Sequence, residues 1–175
     1  MDMQDFEAGE LYFDEPITEE VRQCLECAAE QYAEGLAEQS LMRAYFLEPE
    51  HPMVLVALYR FFYYQHRLEE ALLVAERVLS VFAERLDLPE NWREITEMRI
   101  GGGVMISMAL IRFYMLALKG AGYLEFRLGR YDSAIERLEK VAELDSRDRL
   151  GARSLLNIAR DVLGKEMPRS HLSAT

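Results

Sequence analysis

The stretch "GYLEFRLGRYDSAIERLEKVAELD", residues 122–145, decides the fold. It divides at Gly129-Arg130. On the N-terminal side Leu118, Ala121, Gly122 and Phe126 recur at helical spacing. On the C-terminal side Ala134, Ile135, Leu138, Val141 and Ala142 do the same. Two apolar stripes of period 3.6 with a glycine between them predict two short helices and a tight turn. Gly129 suits the left-handed conformation that ends a helix, because it has no Cβ to crowd the backbone. Gly122 on the first helix and Ala134 on the second let the two backbones approach closely. The expected unit is an antiparallel helical hairpin.

A scaffold built from such units repeats itself. Ala71 in "HRLEEALLVAERVLS" lies three residues after Leu68, as Ala134 lies three after Tyr131. Ala37 lies 34 residues before Ala71, in "EGLAEQSLMRAYFLEPEHP". With this period the chain resembles the tetratricopeptide repeat proteins. Residues 115–148 carry the resemblance best, through Leu118, Ala121, Gly122, Gly129, Tyr131, Ala134, Leu138 and Val141. Residues 52–85 carry it through Leu55, Leu58, Leu68, Ala71, Ala75 and Val78, with Tyr59 in place of the small residue and His66 in place of the turn glycine. Residues 18–51 carry it through Val21, Cys24, Ala37, Leu41, Ala44 and Pro49, with Gly35 near the turn. The resemblance implies an all-α array of helical hairpins, an α-solenoid of about eight helices in a single domain over 18–164. It also implies a small bacterial-type adaptor or chaperone.

The spacing from Ala71 to Ala134 is 63 residues, so residues 86–114 read as an insertion. Pro89 is placed to open a helix there. Gly101-Gly102-Gly103 is expected to break it, and one long helix is expected from about 104 to 128, with a bend at Gly120 and Gly122 allowed. Residues 148–164 read as a capping helix whose Arg149, Arg153 and Arg160 supply a polar outer face. Residues 165–175 read as a flexible tail, and residues 1–17 as an acidic arm carrying Phe6, Leu11, Tyr12 and Phe13.

The chain of 175 residues has a formal net charge of −11. Residues 1–50 hold 14 acidic and 2 basic side chains, a net of −12, while residues 51–175 hold 17 and 18, a net of +1. General nucleic-acid binding is excluded, since phosphate backbones need clustered Lys and Arg. The most apolar run, "VMISMALIRFYMLAL" (104–118), is too short to span a bilayer and contains Arg112, so no membrane role and a cytoplasmic location are expected.

Few motifs suggest chemistry. Cys24 and Cys27 stand three apart on a predicted helix over 18–32. A zinc site would need two further ligands, and His51, His66 and His171 are scattered, so core packing is the favoured reading. The triple glycine lacks the following Gly-Lys-Ser/Thr of a phosphate loop. The acidic pairs Glu19-Glu20 and Glu69-Glu70 fall at helix starts, where the dipole favours them. Met98, Met105, Met108 and Met115 read as core filling. No catalytic residue, cofactor or metal ligand is assigned.

In the tetratricopeptide pattern the first helix of each unit lines a concave groove. Carried over by position, that groove shows Met53, Val56, Arg60, Tyr63 and Tyr64 from the second unit. The third unit adds Leu116, Lys119, Tyr123, Phe126 and Arg127, and the first adds Arg22, Glu26 and Ala29; Arg112 is expected nearby. The asparagines that family members use to clamp heat-shock chaperone tails are replaced by Glu26 and Ala57. The run "YRFFYYQHR" (59–67) is too aromatic for one buried stripe; Phe62 is expected in the core, with Tyr63 and Tyr64 on the groove side. The resulting expectation is a non-catalytic module that holds a protein or peptide in an aromatic, basic groove. A homodimer paired through the insertion helix is a variant. The alternative is a metal, redox or other enzyme-like protein using Cys24 and Cys27 or a pocket closed by residues 86–114.

Overall fold

The computed structural model describes residues 15–32 and 35–166. Its eight α-helices among these residues are α1 (Glu19–Glu30), α2 (Ala37–Leu47), α3 (Pro52–Tyr64), α4 (Leu68–Arg85), α5 (Glu97–Ile106), α6 (Met108–Arg127), α7 (Tyr131–Leu144) and α8 (Ala152–Glu166), and a 3-10 turn lies at Trp92–Glu94. No strand occurs among the described residues. The fold is an all-α array: α1 packs on α2, α2 on α3, α3 on α4, α4 on α6, α6 on α7 and α7 on α8. The short α5 lies against α6 and α7. No helix among the described residues is long and apolar enough to cross a membrane. The expected tail over 165–175 falls almost wholly outside the described residues, as do residues 1–14 of the acidic arm.

Two turns 63 residues apart are built alike. Gly129 has φ of +77° and His66 has φ of +57°. After α6, the N–H of Leu128 donates to Leu124 O at 2.9 Å, Gly129 to Phe126 O at 3.1 Å and Arg130 to Glu125 O at 2.8 Å. After α3, Gln65 donates to Phe61 O at 3.0 Å, His66 to Tyr63 O at 3.0 Å and Arg67 to Phe62 O at 2.9 Å. Both are Schellman stops, in which a left-handed residue lets the next N–H reach back across the last turn. His66 thus holds a conformation that glycine adopts at lower cost. The first hairpin departs from this pattern. Six residues, 31–36, join α1 to α2, against three in the other two hairpins. Ala37 therefore opens α2, whereas Ala71 and Ala134 sit in the fourth positions of their helices.

The small residues act where the sequence places them. A Cβ on Gly122 would meet Leu138 Cγ at 3.1 Å and Arg137 Cβ at 3.3 Å. Ala134 and Ala71 are fully buried. Both Gly120 and Gly122 lie inside α6, which is continuous through them.

The insertion differs from expectation. Pro89 opens no helix; it lies in the link that leads to the 3-10 turn. Trp92 and Ile95 plug the array there, at 7% and 0% exposure. The triple glycine does not break a helix but lies within α5, which Thr96 caps by accepting from Arg99 N at 3.4 Å. The break falls at Ser107, whose extended backbone (φ −159°, ψ 115°) separates α5 from α6. Ser107 Oγ accepts from Leu110 N at 3.2 Å and so starts α6 at Met108 rather than at 104. A serine that satisfies an orphan N–H stops one helix and begins the next more firmly than glycine entropy does. Gly103 serves packing: a Cβ there would overlap Ile111 Cδ1. The capping helix starts at Ala152, not 148, because Asp145 Oδ2 and Asp148 Oδ1 accept from Leu150 N (2.7 Å) and Arg153 N (3.1 Å) in the preceding turn. Arg149, Arg153 and Arg160 are exposed.

Replacing Gly122 by Val drives a branched side chain into Leu138 and should cost about 1–3 kcal/mol in urea unfolding. By contrast, His66→Gly should be neutral or stabilising, and Gly129→Ala should cost about 1–2 kcal/mol through conformational strain alone. Equal effects of His66→Gly and Gly129→Ala would contradict the shared turn geometry.

Candidate functional site

The aromatic run of α3 radiates to different neighbours. Tyr59, Phe61 and Phe62 are buried, Tyr63 is half-buried and Tyr64 is 51% exposed. α3 is packed on one side by α2 and on another by α4, which absorbs more aromatic surface than a single stripe. Tyr63 faces α6: its Oη lies 3.3 Å from Tyr123 Oη, and the two rings are 6.2 Å apart. Arg127 donates to Tyr123 Oη at 3.0 Å, and this phenol contact raises the arginine's pKa further. The phenols thus tie α3 to α6.

Beside this tie, α1, α2 and α3 enclose a groove of about 490 Å³. Leu25, Ala28, Ala29 and Tyr32 of the α1 side face Ala57, Arg60, Phe61 and Tyr64 of α3 across it, and Leu41 of α2 joins the lining. Ala28, Leu41 and Phe61 are buried at 3%, 4% and 7% exposure, and Tyr32 and Tyr64 are exposed. Tyr32 stands edge-on to Phe61, with centroids 6.2 Å apart. Short alanines on both facing helices leave the space, and Tyr32, Tyr64 and Arg60 provide polar atoms around apolar walls. Such a shape accepts one or two apolar side chains from a ligand and a polar or anionic group beside them.

Of the expected groove residues, Arg60, Tyr64 and Ala29 line this space. Met53 is 42% exposed, Arg22, Glu26, Arg112 and Arg127 are exposed, and Val56, Tyr63 and Tyr123 are half-buried. Three residues are displaced from the expected surface. Lys119 is buried at 4% exposure, with Leu116 at 5%. Phe126 packs against the Leu138, Leu156 and Ala159 cluster and meets Tyr131 at 5.6 Å. The basic wall is therefore narrower than expected. Leu25, Ala28, Tyr32, Leu41, Ala57 and Phe61 were missed, since the sequence does not say how far the first two hairpins part.

The cysteines separate. Cys24 is buried and Cys27 is exposed, and both are free thiols. Core packing thus holds for Cys24 alone. Val21, Cys24 and Ala28 form the buried stripe of α1, and Cys27 projects roughly 90° from its centre at 3.6 residues per turn. No group of three or more metal-ligating side chains converges among the described residues. Met98, Met105 and Met108 are exposed rather than core-filling, and only Met115 is buried.

A buried ionic centre was not anticipated. Arg137 of α7, 8% exposed, donates from Nε to Glu125 Oε2 of α6 at 2.9 Å and from Nη2 to Glu76 of α4. Its guanidinium lies 5.2 Å from the Trp92 ring centre, while Arg93 covers the same ring at 4.2 Å and pairs with Glu136. Tyr114 beside it is fully buried, and burial pushes its phenol pKa up. Glu125 is also held above its ordinary value of 4.5, first by burial, with Arg137 opposing. A signal existed: Glu125 follows Ala121 and Gly122, and Arg137 precedes Leu138 and Val141, so opposite charges occupy the apolar stripes of two paired helices.

Because Glu125's folded pKa is raised, its contribution to stability is full below about pH 4.5 and is lost as pH rises through the raised value. Urea unfolding in pH steps should therefore show the wild type losing stability over that window relative to Glu125→Gln, and a flat difference would contradict the burial. Arg137→Met, which strands Glu125 in the core, should cost about 3–5 kcal/mol.

No family model and no solved structure matches the chain. Among curated proteins, it is 52% identical over 158 residues to the uncharacterized 19.8 kDa protein in the nifW 5′ region of Azotobacter chroococcum mcd 1, an alignment covering 90% of this chain and 88% of that one.

Proposed function

We propose that the chain, which belongs to the family of that 19.8 kDa protein, is a non-catalytic protein-interaction module of the tetratricopeptide type, acting in the cytoplasm as an adaptor or chaperone. The observation that carries this reading is the 490 Å³ groove between α1, α2 and α3. Its occupant is an extended or helical peptide that inserts an apolar anchor over Leu41 and Phe61 and sets an acidic group near Arg60. Tyr32 and Tyr64 give large contact area at low entropic cost, as interface tyrosines do. The matched Schellman turns after α3 and α6, and the nested small residues, support the repeat assignment.

The reading is tested by selection from a displayed random-peptide library against the full chain. Enriched peptides should share an apolar anchor flanked by Asp or Glu. The product of nifW is the first whole protein to assay, from the location of the relative. Ala57→Glu and Tyr64→Ala should each weaken the selected peptide at least tenfold by calorimetry, while thermal stability stays close to wild type. Undiminished binding by both variants would overturn the site, and an absence of any enriched peptide would overturn the function.

A further inference from the structure

The inserted helix α5 is apolar on both faces. Ile100, Gly103 and Val104 turn inward, with Gly103 seated on Ile111. The opposite face is open to solvent: Met98 and Met105 are each 86% exposed, Ile106 55%, and Met108 just beyond it 63%. A short surface helix gains nothing from such a face in water, and contiguous patches of this kind mark contacts. Beside it opens a recess of about 320 Å³, bordered by Leu86, Gly102, Gly103 and Ile106, with Arg99 turned to Asp87 at 3.7 Å.

We propose that this face is covered by the same face of a second copy, in an antiparallel pair whose two-fold axis passes between Gly101 and Gly102. On this face Met98, Gly101, Gly102 and Met105 read the same in both directions. Met98 and Met105 lie equally far from that midpoint, so the axis sets each Met98 against the partner copy's Met105 and crosses the helices where no side chain stands. A Cβ on Gly101 or Gly102 meets nothing within 4 Å inside the chain, so these glycines are not required by the monomer. Each copy then carries both a flexible thioether and a recess to receive one. The four exposed side chains offer on the order of 500 Å² per copy, the larger part of the roughly 800 Å² that a standard interface takes from one partner. This pairing is independent of the peptide groove, which lies between α1, α2 and α3.

Sedimentation of the full chain across 1–100 μM reads the mass directly. The expected result is a species of twice the 20.3 kDa chain mass. Met105→Glu should shift it to monomer at 10 μM, whereas Phe46→Glu on the 86% exposed α2 position should not. In a Cys27→Ser background, Met98→Cys chains mixed with Met105→Cys chains should crosslink on oxidation, and each alone should crosslink at least tenfold less. A monomer throughout, dissociation by Phe46→Glu instead, or crosslinking of Met98→Cys chains to themselves would each overturn the proposal.

Discussion

The separation of α6 and α7 governs the rest of the molecule. Gly122 helps set it, because a Cβ there would crowd Leu138 Cγ at 3.1 Å and the stem of Arg137 at 3.3 Å where they lie on the α6 backbone. At that distance the guanidinium of Arg137 meets Glu125, one helical turn beyond Gly122, and extends to Glu76 on α4. Packing and charge are therefore one constraint. A wider gap would strand two buried ions, whose desolvation is repaid only at close geometry. Trp92 closes the centre from the insertion, with a guanidinium on its ring from α7 and another from Arg93.

Ion pairs between elements extend this order outward. Arg43–Glu20 links α2 to α1, Arg67–Glu38 links the α3–α4 turn to α2, Arg130–Glu69 links the α6–α7 turn to α4, and Arg160–Glu139 links α8 to α7. Most are exposed and individually weak. All four links are made by arginine, in a chain that carries 17 arginines and 3 lysines. Two of them neutralise Glu20 and Glu38 of the first two helices.

The legible parts were those set by local chemistry. The turn at Gly129, the left-handed place of His66, the pairing across Gly122 and Ala134, and the core position of Phe62 all follow from spacing and steric demand. The misread parts depended on competing local signals. Three glycines suggest a broken helix, yet Ser107 supplies a cap and takes the break, while packing on Ile111 accounts for Gly103. Leu116, Lys119 and Phe126 were read by repeat position as groove residues, yet the first two are buried and Phe126 packs on Leu138, Leu156 and Ala159. Cys27 shares its helix with Cys24 but not its face.

From its residues alone, the chain is an all-helical array with hairpins at defined points, because helical periodicity and glycine stereochemistry act over a few positions. Only the tertiary structure decided where apolar surface stays open. The space between α1 and α3 depends on how far neighbouring hairpins part, and the bare face of α5 depends on which of its two apolar sides meets Ile111. Those outcomes are settled by contacts between residues distant in the chain, which no local pattern encodes.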